Sequence, residues 1–212
     1  MKLIITEEQL RMIIESEKRG KLISIDIDDF PIGNDDEEKL KKIEEIFLKY
    51  KSDKGWTGIK VIGNLFLVDG RIGKLDNFKV IDGDLEILGN GEFKSLSGVE
   101  YVMGNLKLDR NIVIVNDLKY VGGNLVTFPF LKKLDTLEYV GGSLDLDFCD
   151  ISNLSSLKYV GGSLKLEECP IESLPVLKYV GGSLDLRNTP LSNKTTEEEL
   201  RDKINVGGEI HL

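Results

Sequence analysis

The chain holds one histidine and two cysteines, has no basic run, and has no apolar run long enough to span a bilayer. Each shortage removes a class of protein. His211 stands beside the last residue, so a Ser-His-Asp hydrolase or a multi-histidine metal centre has almost no material to work with. Two cysteines among 212 residues cannot make a secreted disulfide framework. The opening MKLIITEEQL reaches Glu7 and Glu8 after four apolar residues, and nowhere do about 18 apolar residues run together. We therefore expect a soluble, cytoplasmic chain with reduced thiols. Against 28 basic residues stand 37 acids, a net charge of −9, so neither nucleic acid nor anionic membrane is an expected partner. The length, with 41% hydrophobic residues, suits one large domain or a domain with a cap.

What the chain has in quantity is self-similarity. Lys119-Tyr120-Val121-Gly122-Gly123-Asn124-Leu125 returns as Glu138-Tyr139-Val140-Gly141-Gly142-Ser143-Leu144, and again over 158–164 and 178–184. The second glycine or its equivalent falls at Gly63, Gly83, Gly104, Gly123, Gly142, Gly162, Gly182 and Gly208, with spacings of 20, 21, 19, 19, 20, 20 and 26. Such a period sits at the short end of the leucine-rich repeat range, well below helical-pair repeats.

The leucine-rich repeat pattern L-x-x-L-x-L-x-x-N/C-x-L can be laid on each unit. Leu65 and Leu67, Leu85 and Ile87, Leu106 and Leu108, Leu144 and Leu146, Leu164 and Leu166, Leu184 and Leu186, and Ile210 and Leu212 supply the L-x-L pair. Alternation puts both members on one face. Asn90, Asn111, Cys149, Cys169 and Thr189 stand at the Asn/Cys slot, and Ile72, Val113, Ile151, Ile171 and Leu191 at the aliphatic slot beyond it. On these linked positions residues 58–212, about three quarters of the chain, resemble the leucine-rich repeat family. The resemblance implies a repeat solenoid: a right-handed, curved, mostly β form of the α/β horseshoe, with about eight short parallel strands and little helix on its convex side.

Some positions depart from that pattern. The first leucine is replaced by the first glycine of the pair, or by Ile62, Asp82 or Met103. A Gly-Gly pair suits either a positive φ or a close approach between turns. In the unit 124–140, Thr127 takes a leucine slot and Phe130 the Asn/Cys slot, which predicts an irregular turn. Thr196 and Glu199, at capping-box separation, predict a helix over 197–203.

A stack of repeats leaves an open apolar end, and residues 1–57 are expected to form a helical cap over it. Thr6 and Gln9 make a capping box for a helix over 7–18 with Leu10, Ile13 and Ile14 on one stripe. Residues 21–27 alternate as a strand, and Leu40, Ile43, Ile46, Phe47 and Tyr50 mark a helix over 36–51. The segment LIITEEQL resembles the start of many uncharacterised proteins of large tailed phages, which implies an origin and not an activity. At the other end the eighth strand, holding Leu212, would be a sheet edge blunted by Glu209 and His211.

Few residues offer chemistry. Asp26-Ile27-Asp28-Asp29, followed by acids at 35–38, suggests an aspartate-nucleophile phosphatase or a cation site. Such phosphatases need a doubly wound domain, which is missing, so a solvated acidic loop is the simpler reading. Gly70-Arg-Ile-Gly73-Lys74 lacks both the gap and the hydroxyl of a phosphate loop. Cys149 and Cys169 share one ladder slot and read as structural thiols. Tyr101, Tyr120, Tyr139, Tyr159 and Tyr179, one repeat apart, read as a stacked ladder.

The outward face of the L-x-L strands is more informative. One column reads Phe66, Glu86, Lys107, Val126, Asp145, Lys165, Asp185, His211, and the next Val68, Leu88, Asp109, Phe128, Asp147, Glu167, Arg187. Val126 and Phe128, with Leu88, are apolar where polar residues are expected, which is how an interface anchor reads; Phe128 turned inward beside Thr127 is the alternative. We expect a non-enzymatic module that binds a protein partner through Val126, Phe128 and Leu88, rimmed by Lys107, Asp145 and Lys165, with no cofactor or metal. The phage resemblance would make that partner a host protein in the host cytoplasm. A virion-associated subunit self-associating through the C-terminal edge is the second expectation, and a carboxylate-based enzyme or cation site at Asp147 and Glu167 the third.

Overall fold

A computed structural model of the protein describes residues 21–26, 41, 43–45, 47–49, 56–68, 75–88 and 94–212. Parallel strands stack as coils of a β-solenoid, with few helices among the described residues. An eight-stranded sheet collects the L-x-L segments in chain order, from Leu65–Val68 to Ile210–His211. The leucines and Ile87 of its L-x-L pairs are buried from Leu65 to Leu186, as alternation requires, whereas Leu212 is exposed.

The sequence reading gave each coil one strand, and the structure gives it two. A nine-stranded sheet runs through Lys21–Asp26, Trp56–Ile62 and Phe78–Asp82, then through two-residue strands from Tyr101–Val102 to Asn205–Val206. From Trp56–Ile62 onward each of these strands lies just before the register glycine of its coil. A third side is partly ordered as Ser95–Leu96 paired with Ile114–Val115. The regular coil buries Val160, Leu164, Leu166, Cys169, Ile171 and Leu177, so all of its sides feed one continuous core. Each such side chain contributes roughly 1.5–3 kcal/mol by leaving water.

The corner between the two main sheets explains the Gly-Gly pair. A Cβ on Gly122, Gly141 or Gly161 would lie 2.0 Å from the carbonyl oxygen of Met103, Gly122 or Gly141 on the preceding coil. Close approach, not backbone conformation, is the reason, because positive φ among the described glycines occurs at Gly63 and Gly98. The next residue extends the contact. The Asn124 N–H donates to Asn105 Oδ1 (2.9 Å), Ser143 N–H to Asn124 Oδ1 (2.8 Å), and Ser163 and Ser183 N–H to the preceding serine Oγ (3.1 Å each).

Behind the nine-stranded sheet the tyrosines form their ladder. Tyr120, Tyr139, Tyr159 and Tyr179 stack at centroid distances of 4.8, 4.6 and 4.7 Å with interplanar angles of 4, 11 and 10°. Tyr101, Tyr120 and Tyr139, with Tyr159 packed against them, make a small cluster with Val80, outside the main core.

The expected strand appears as Lys21–Asp26, and residues 41, 43–45 and 47–49 are helical, with Ile43 and Phe47 in the core. Glu44 accepts a 2.6 Å bond from Asn77 Nδ2, which ties this helix to the solenoid. The C-terminal helix spans Glu197–Arg201 and has both halves of its capping box. The expected helix over 7–18, Asp28, Asp29, the acids at 35–38, Gly70 to Lys74, Ile72 and Asn90 lie outside the described residues.

Two slot assignments need correction. The coils starting at Leu106 and Leu125 have one extra residue in the turn after their strand, so Ile112 and Leu131, not Asn111 and Phe130, occupy the buried place taken elsewhere by Cys149, Cys169 and Thr189. The turn hydrogen bonds set the register: Ile112 N–H to Asp109 O, Leu131 N–H to Phe128 O, Cys149 N–H to Leu146 O. Val113 accordingly lies half-buried, with Ile112 and Val115 turned inward.

Candidate protein-binding surface

From Glu86 to Arg187 the outer face of the eight-stranded sheet is a register of charges interrupted by one coil. Glu86 faces Lys107 across paired strands, and the two form an ion pair. Asp145 faces Lys165, at 3.0 Å. Arg187 binds Asp185 at 2.7 Å and Glu167 at 2.8 Å, and its guanidinium holds the Asp185 carboxyl below the usual carboxylate range. Exposed pairs of this kind contribute about 0.2–1 kcal/mol each.

The interrupting coil carries Val126, Phe128 and Phe130, at 43, 40 and 59% exposure, where its neighbours carry charge. Thr127 turns inward instead, its hydroxyl 3.5 Å from the Cys149 sulfur. Phe128 therefore points outward, and its backbone is held from below: its carbonyl accepts the Leu131 N–H at 3.2 Å and the Cys149 thiol at 3.4 Å. On the adjacent coil Phe148 occupies the ladder place of Phe130, the residue before the buried turn position, and is 51% exposed. The same place on the following coils is taken by Glu168 and Asn188, and Phe148, Glu168 and Asn188 all have left-handed backbone, φ 63, 58 and 58°. Asparagine tolerates that conformation and phenylalanine resists it, so Phe148 is both strained and half in water.

Sequence reasoning missed Phe130 and Phe148 as surface residues. The signal was available at the position before the Asn/Cys slot, where Asn188 marks a left-handed turn. Of the residues it singled out, the structure brings Val126 and Phe128 together, with Lys107 on the coil before and Asp145, then Lys165, on the coils after. Leu88 is half-buried and pairs with Val68, two coils from Phe128, so it does not join this patch.

No family model, curated protein or solved structure matches this chain.

Asp147 and Glu167, the carboxylate couple of the third expectation, are separately engaged. Asp147 accepts the Glu167 N–H at 2.9 Å, and Glu167 binds Arg187. Burial pushes the Asp147 carboxyl up, with Asp145 and Asp185 adding to the effect. Cys149 and Cys169 are buried free thiols; the Cys169 thiol donates to Leu146 O at 2.9 Å, and burial pushes it up to about 12. Among the described residues no three His, Cys, Asp or Glu side chains are grouped to hold a metal, and no helix is long and apolar enough to cross a membrane.

Proposed function

We propose that the protein is a non-enzymatic interaction module whose partner, another protein, docks on the aromatic patch of Val126, Phe128, Phe130 and Phe148. The observation that carries this reading is Phe148: an aromatic side chain held in a disfavoured backbone conformation and left half in water adds little to the fold, while desolvated aromatic anchors concentrate the energy of interfaces. The charge pairs around the patch suit a rim that sets association rate and selectivity. The reading extends to the leucine-rich-repeat form of the solenoid, a curved horseshoe presenting this sheet, and to a tailed-phage protein directed at a host protein in the host cytoplasm. The test is affinity capture from host lysate with the wild-type chain and with Phe128→Ala/Phe148→Asn. A protein retained by the wild type and lost with the folded variant supports the reading; a partner retained equally by both places binding elsewhere.

A further inference from the structure

We infer that the patch takes a linear segment of its partner that combines apolar side chains with Lys or Arg, the basic groups lying over Asp147 and Glu168. This rests on the protein-binding reading above and adds the chemistry of the partner. The charges beside the patch are unequal. On the coils after Phe128, Lys165 serves Asp145 and Arg187 serves Glu167 and Asp185. Asp147 accepts a backbone N–H and feels Lys165 and Arg187 only at longer range, since both form their ion pairs with other carboxylates, and Glu168 stands exposed next to Phe148 on the turn ladder. Negative charge is therefore left over along one flank of the aromatic strip.

A basic segment is attracted there and an acidic one repelled, and the chain's net charge of −9 steers encounters the same way. The strip is one to two coils wide, about 5–10 Å at the usual strand spacing. That width matches a single extended or helical segment better than a globular face, which covers about 800 Å² on each partner.

The probe is a display library of random dodecapeptides selected on the immobilised full chain, with enriched peptides synthesised and titrated by fluorescence anisotropy. Enriched peptides should be net positive and contain apolar residues. Their affinity should fall about tenfold or more for Asp147→Lys/Glu168→Lys and for Phe128→Ala/Phe148→Asn, and hold for Glu172→Lys on another coil side. Neutral or acidic peptides that still require Phe128 overturn this inference and leave the protein-binding reading standing. Peptides indifferent to both sets of variants, or no enrichment at all, overturn it as well. A mass that doubles with concentration and reverts in Phe128→Ala overturns it in favour of a second copy of the chain.

Discussion

The coils of residues 56–88 and those of residues 120–186 reach the same stacking by different means. In the first, Trp56–Ile62 and Phe78–Asp82 run seven and five residues, Leu65–Val68 and Leu85–Leu88 four, and the pairing of the first two slips at Ile59/Lys60. In the second, every strand of both sheets is two residues long. Long strands bring many backbone hydrogen bonds per coil, and there Ile62 and Asp82 stand where the later coils have a glycine. In the later coils the coil-to-coil backbone bonds continue past the two-residue strands, as in Gly161 N–H to Val140 O and Leu146 N–H to Lys165 O. A first glycine packed on the preceding carbonyl and tyrosine stacked on tyrosine are added at the corner, while the Asn, Asp or Ser bond to the next N–H runs through both halves. Regularity in the sequence thus marks the half with Gly-Gly corners and stacked tyrosines.

The sharpest way to break that half is through its core. Leu164→Ala removes a fully buried side chain with a stacked leucine on each side, and the urea midpoint should report a loss of about 2–5 kcal/mol. An unchanged midpoint would contradict the inward assignment of the L-x-L pair.

An alanine at the matching corner of each half tests whether the two differ. Gly161→Ala puts a Cβ 2.0 Å from Gly141 O and should cost about 3 kcal/mol, the upper end for overpacking. Asp82→Ala, at the matching corner of the first half, loses its 3.0 Å ion pair with Lys60 and should stay within about 1 kcal/mol of wild type. Equal losses would mean that the corners of the two halves are alike.

A smaller effect is expected in the tyrosine ladder. Tyr139→Val installs the residue type that Val80 supplies at the same register in the first half, and it removes two ring stacks. A loss of about 1 kcal/mol should appear in thermal or urea unfolding; no loss would make the stacking incidental.

The thiols sharpen the same picture with the least effect on neutral stability. Cys169 is neutral in the fold, pushed from an ordinary 9.0 up to about 12, so its contribution is complete below pH 9 and is lost as pH rises toward 12. At about pH 8 a thiol reagent should leave the native chain unlabelled over times that fully label the unfolded chain. Cys169→Thr, with the residue that Thr189 places in the same slot, should lessen the alkaline loss of stability. A fast-reacting native thiol would contradict this burial.

The parts of this fold that could be read from the sequence are those with fixed offsets. The L-x-L pairs as far as Leu186, the tyrosine ladder and the Thr196/Glu199 cap each repeat or pair at set spacings and lie where expected, whereas Leu212 of the last pair is exposed. The second sheet was illegible because Tyr-Val strands of two residues are too short for alternation to register. Phe130 was misplaced because one inserted turn residue shifts every later slot of that coil, moving Leu131 inward. The row Asn64, Asp84, Asn105, Asn124, Ser143, Ser163, Ser183 after the second glycine was visible as a pattern, but its role depends on the backbone approach that the glycines permit.

The claim that matters most is that the aromatic patch of the 125 and 144 coils serves something outside the chain. Its most direct test is the urea midpoint of Phe128→Ala/Phe148→Asn. Both side chains are half exposed, and asparagine relieves the left-handed strain at Phe148, so we expect the midpoint to stay level or rise by up to about 1 kcal/mol equivalent. A fall comparable to that of Leu164→Ala would contradict the account, because it would make these phenylalanines part of the core.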